Sequence, residues 1–150
     1  MKATKIKCRD LMVGDWVANR NGSLMQIVAV DEDNAYACEG NEERPWIFGD
    51  DKGYEPQSIL LTPEILEKNG WQSFVPTACT CCQNHLSIKN EGDIHIEWNW
   101  KEGTLSVWVS YSEDEEGTNP NLIAPIKYVH DLQDTLRLIG LNEMANNFKI

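Results

Sequence analysis

A chain of 150 residues that is 41% hydrophobic and 9% aromatic can bury about two-thirds of its unfolded surface, so it needs no disulfide staples and is not a disordered chain. Its 24 acidic and 13 basic residues leave a formal charge of −11. That balance speaks against a duplex-binding protein, which displaces counterions with a broad basic face, and favours solubility and a basic protein partner.

The first sixteen residues, MKATKIKCRDLMVGDW, contain no apolar signal core and no small-residue cleavage site. No apolar run approaches the length of a membrane span. With five cysteines, an odd number, the expected setting is the cytoplasm, with free thiols and no membrane association.

In chain order, Gly14-Asp15 is a turn feeding a strand from Trp16 to Asn19. Asn21-Gly22 is a hairpin signal, because both residues tolerate positive φ, and Leu24 to Val30 returns as its partner. Asp31 to Asn34 is a second turn and Ala35 to Cys38 a third strand. The stretch EGNEERPWIFGDDKGYEP is a long polar loop with an apolar plug at Trp46-Ile47-Phe48, and QSILLT closes the half as a strand. Short strands with regular turns predict a small β-barrel or roll over residues 1–61.

Residues 62–150 predict an α-β-β-β-α arrangement. Thr62 caps a short helix, Pro63 takes its first position and Gly70 its left-handed end. HLSIK is a strand beside the hairpin DIHIEWNWKEGTLSVWVSY, whose apolar residues alternate with polar ones. A two-residue Glu102-Gly103 turn pairs Trp100 with Leu105, Trp98 with Val107 and Ile96 with Val109, and puts Trp108 opposite Glu97. APIKYVHDLQDTLRLIG is an amphipathic helix with Tyr128, Val129, Leu132, Leu136 and Ile139 inward and His130, Asp134 and Arg137 on the other side. The tail LNEMANNFKI either adds a turn that docks Phe148 or frays. The expected class is α+β: a small barrel or roll followed by an antiparallel sheet flanked by a short and a longer helix, the two halves forming one compact unit.

Chemistry-bearing residues are few. Cys79, Cys81, Cys82 and His85 form a Cys-x-Cys-Cys-x₂-His segment. These are zinc-ligand types, but the separated second pair of a structural zinc site is missing, so a loop with free thiols stands beside the metal reading. Zinc is the only cofactor that the chain suggests. Trp108, with Glu97 opposite, and Trp46 in the acidic loop are candidate partner contacts, because an aromatic among polar residues can anchor an interface; coverage by another element of the chain is the competing and favoured reading. His130 and Asp134 are four apart, with no recognisable nucleophile or base nearby in sequence. No phosphate loop, nucleophile elbow or zinc-protease motif is present, and an enzyme is not indicated.

KCRDLMVGDWV, LTPEILEKNGW and IKYVHDLQDTLRLIG together resemble the signature blocks of a family of small proteins without an assigned activity. That family occurs in anaerobic gut bacteria, often near prophages and other mobile elements. The resemblance covers about a quarter of the chain and implies no catalytic residue. It does imply that the Cys79–Cys82 stretch varies between such proteins. VGDWV alone also resembles the first strand of Src-homology-3-like barrels. The leading expectation is a non-enzymatic protein-binding or adaptor module, associated with a phage or mobile element. A metal-binding module through Cys79 to His85 is one alternative. Nucleic-acid handling through the barrel, with Lys2, Lys5, Lys7 and Arg9, is the other.

Overall fold

The computed structural model describes residues 4–49, 54–73, 85–89, 94–109 and 119–150. The strands are β1 (Trp16–Ala18), β2 (Leu24–Val30), β3 (Asn34–Cys38), β4 (Trp46–Gly49), β5 (Gln72–Ser73), β6 (His85–Lys89), β7 (Ile94–Asn99), β8 (Thr104–Val109) and β9 (Leu122–Pro125). The helices are α1 (Pro63–Lys68), α2 (Val129–Leu138) and α3 (Asn142–Asn146). The class is α+β, with two antiparallel sheets and short helices. No helix among the described residues is long and apolar enough to cross a membrane. Contacts divide the chain into two units, Met1–Leu60 with Tyr128–Phe148 and Ile150, and Leu61–Lys127 with Lys149.

The first unit holds a sheet of order β1-β2-β3-β4. Asn19 builds its first turn. The Asn19 side-chain oxygen accepts from the amides of Asn21 and Ser23, and its carbonyl accepts from Gly22 N at 3.0 Å. Gly22 takes φ +86°, which the missing Cβ permits. Asp31 does the same for the β2–β3 turn, accepting from the amides of Asp33 and Asn34. A register shift between Ile27 and Ala29 interrupts β2. Inward-facing Val17, Met25, Ile27, Ala35, Ala37 and Phe48 form a core with Ile6, Cys8 and Leu11.

The expected barrel is not seen among the described residues; the four strands form an open sheet. The segment expected as a strand from Gln57 to Thr62 makes only single bridges, at Gln57 and Leu60. Those bridges matter, because Gln57 and Ala18 exchange both backbone hydrogen bonds at 2.9 Å and so cover the outer side of β1. The apolar plug is in fact β4. Ala35 pairs with Phe48, Tyr36 with Ile47 and Ala37 with Trp46. Tight pairing to β3 outweighs the surrounding polar composition.

The second unit holds the sheet β5-β6-β7-β8-β9. HLSIK is a strand as expected, pairing antiparallel with β7. Leu86, Ile96, Trp98, Leu105 and Val107 are buried on one face. The hairpin register differs from the expected one by two residues: Trp98 lies opposite Leu105, Ile96 opposite Val107 and Ile94 opposite Val109. The cause is a four-residue loop, Trp100 to Gly103. The Asn99 side chain accepts from the amides of Lys101 and Glu102, and Asn99 O accepts from Gly103 N at 2.8 Å. A shift of two preserves which face each side chain occupies, so Ile96, Trp98, Leu105 and Val107 are buried as expected with different partners, while Ile94 and Trp100 are partly covered and Val109 is exposed. Before β5, Thr62 Oγ1 accepts from Ile65 N at 3.4 Å, and Trp71 N closes α1 on Leu66 O at 3.1 Å past Gly70 at φ +83°.

Candidate functional site

Trp46 and Ile47 sit on β4, the outer strand of the first sheet, with relative exposures of 52% and 56%. The register explains the contrast with buried Phe48. Phe48 lies over Ala35 in the core, Trp46 is on the same face but at the end of the strand, and Ile47 points to the opposite face beside Tyr36. The indole is oriented, because Trp46 Nε1 donates to Glu42 Oε2 at 3.2 Å. An open recess beside it is lined by Glu42, Glu43, Arg44, Pro45 and Trp46. Glu39, Glu42 and Glu43 are exposed where β3 leads into β4. Asp31, Glu32 and Asp33 are exposed at the other end of β3, where Asn34 pairs with Gly49.

Trp108 and Glu97 belong to the second unit. Trp108 does not face Glu97, because the four-residue loop moves it opposite His95, and Ser106 takes the place opposite Glu97. The Trp108 and His95 rings are tilted by 54° with centroids 5.4 Å apart. His95 Nε2 is 3.9 Å from Glu97 Oε2. The three side chains therefore share a face, and all three are partly covered. Ile123, opposite Ser106 on β9, is the most exposed apolar residue on that face at 61%.

A third cluster lies around α2. Asp131 starts the helix by accepting from Tyr128 N at 3.1 Å. His130, expected on the solvent side, is buried. It flanks the apolar stripe, and the Tyr128 ring stacks on it with centroids 5.8 Å apart. Its Nε2 is 3.2 Å from Asp131 Oδ1, and its Nδ1 has no hydrogen-bond partner among the described residues. Burial pushes the His130 pKa below the usual imidazole value, and Asp131, Asp15 and Asp10 pull against that shift. Arg137 Nη1 bridges two carboxylates, fully buried Asp15 and Asp134 at 3.0 Å. Burial, and then the Asp15 charge, raise the Asp134 pKa to about 6 against the opposing pull of Arg137.

Sequence reasoning missed Gln133, which is fully buried in this cluster. Its Oε1 accepts from Trp16 N at 3.0 Å, and its Nε2 donates to Gly14 O and Ala145 O at 2.9 Å. The signal was present: Gln133 stands four residues after Val129 and three before Leu136, on the apolar face. Gly14, at φ +94°, is packed so closely that a Cβ would lie 3.0 Å from Arg137 Nη2. Cation, carboxylates and amide are all directed at one another or at backbone, with no nucleophile among them. The arrangement ties α2 and α3 to the approach to β1.

Cys79, Cys81 and Cys82 lie outside the described residues, and of His85 only the backbone in β6 is described. No group of three or more His, Cys, Asp or Glu among the described residues is placed to hold a metal. Of the basic N-terminal residues, Lys5 Nζ is 2.9 Å from Glu55 Oε1, Arg9 Nε is 3.8 Å from Asp10 Oδ1, and Lys2 lies outside the described residues. No family model, curated protein or solved structure matches the chain.

Proposed function

We propose that the protein is a non-enzymatic protein-binding module whose contact surface is the β4 edge around Trp46 and Ile47. One observation carries the reading: two large apolar side chains, more than half exposed, stand on an outer strand beside exposed carboxylates. Oriented aromatic anchors with a polar rim are what binding energy concentrates on. The formal charge of −11 suits a basic partner and speeds its encounter. The resemblance to small proteins of mobile elements fits a module that acts by contact, in a phage-like setting. The competing surface is the Trp108 and Glu97 face of the other unit, with Ile123 at its edge, whose aromatic is partly covered.

Affinity capture from host lysate at physiological salt tests the reading. Wild-type protein retains a partner, and Trp46→Ala and Ile47→Asp lose it with an unchanged melting temperature. Retention of the same partner by both variants, or its loss in Trp108→Ala alone, overturns the assignment to β4.

A further inference from the structure

We infer that β4 accepts an extended, lysine- or arginine-bearing segment of the partner as an added strand. The inference rests on the protein-binding reading and gives it a chemistry.

Among the described residues the two sheets have four outer strands, and three are guarded. The outer side of β1 is paired with Gln57. β5 has only two residues, and β9 ends in Pro125, which has no N–H to offer. β4 has none of these guards at Trp46 and Ile47, its exposed half, whereas Phe48 and Gly49 are buried. Alternate residues of such a strand direct N–H and C=O groups away from the sheet, and pairing with an extended peptide satisfies them.

Charge selects the peptide. The two turns that bracket β4 carry six exposed carboxylates, Asp31, Glu32, Asp33, Glu39, Glu42 and Glu43, with Arg44 as their one basic side chain. The strand between them spans roughly 13 Å, so cations at both ends of a short peptide reach both turns. At the Trp46 end the recess offers an indole face fixed by Glu42, with the Glu43 carboxylate beside it. An aromatic face and carboxylates together suit an ammonium or guanidinium group. Strand parity fixes the pattern. A residue opposite Ile47 shares its face and should be apolar, while its neighbours fall on the Trp46 face and should be basic. The expected segment alternates basic and β-branched residues.

The test is an amide NMR titration of the full chain with three blocked eight-residue peptides. The first alternates lysine with valine, the second alternates glutamate with valine, and the third repeats the first with alternate backbone amides methylated. The first should shift Trp46 to Gly49 and the Trp46 indole, slow amide exchange in β4, and weaken at least tenfold from 50 to 500 mM salt. The second and third should bind at least tenfold more weakly. Equal binding of the glutamate peptide removes the charge argument, and equal binding of the methylated peptide removes strand addition. Shifts centred on Trp108 and Ile123, or none anywhere, also overturn the inference. If no peptide binds while lysate capture still requires Trp46 and Ile47, strand addition fails and the protein-binding reading stands. If neither occurs, both fall.

Discussion

Gln133 concentrates at one residue what holds the first unit together. Its amide meets Trp16 N, Gly14 O and Ala145 O with no exposed surface. Gln133→Leu keeps the approximate volume and leaves Trp16 N and Ala145 O without that partner, whereas Gly14 O still accepts from Gln26 Nε2 at 3.1 Å. Two orphaned buried groups should cost about 2–4 kcal/mol, read from the urea midpoint at constant slope. Beside it, His130 and Asp134 act in opposite senses on acidification. His130 has a lowered pKa, so the unfolded chain takes up the proton first and stability falls as pH drops below the usual imidazole value. Asp134 has a pKa raised to about 6, so the folded state takes up the proton first and stability rises as pH drops from about 6 towards 4. Asp134→Asn should therefore leave a melting temperature that only falls between pH 7 and 4.5, and His130→Gln one that rises before carboxylates elsewhere titrate. Since Asp134 is about a third exposed, its effect is on the order of 1 kcal/mol. Melting curves at half-unit pH steps decide, and profiles that match wild type would refute the assignment.

At the scale of elements, local signals were legible where backbone chemistry is local. Thr62, Pro63 and Gly70 mark α1 because capping depends on a few adjacent residues. The β7–β8 hairpin shows what periodicity can and cannot give. Alternation fixes the face of each residue, but registers two apart satisfy it equally, and Asn99 decides between them through two side-chain bonds. The signal was an Asn preceding a four-residue gap that ends in glycine. Asn99→Ala should destabilise the protein by about 1 kcal/mol in chemical denaturation, since a capping side chain is lost without burying an unpaired group. Cross-strand contacts of Trp98 with Leu105 and Ile96 with Val107 should persist in NMR spectra. Contacts of Trp98 with Val107 in their place would support the tighter turn. β4 was illegible for a different reason: it is held by pairing to β3, and an apolar triplet in a polar stretch has no period of its own. Of the proposed contacts, Trp46 is exposed but lies on a strand where the sequence suggested a loop, and Trp108 lies opposite His95 where the sequence suggested Glu97.

At the scale of the whole molecule, composition indicated a folded acidic chain, and periodicity with turn signals the class α+β, but neither indicated whether the first sheet closes. Closure depends on whether distant segments pair, and here Gln57 meets β1 through one bridge while β4 remains the outer strand. That same lack of pairing among the described residues is why β4 is proposed as the contact surface. A photoreactive phenylalanine analogue at Ile47, with the same analogue at Ile123 and Leu138 as exposed comparison sites, tests this most directly when irradiated in host lysate. The account predicts one dominant cross-linked protein at position 47, diminished in high salt and absent at the other two positions. Equal cross-linking at all three, or none at position 47, would contradict it.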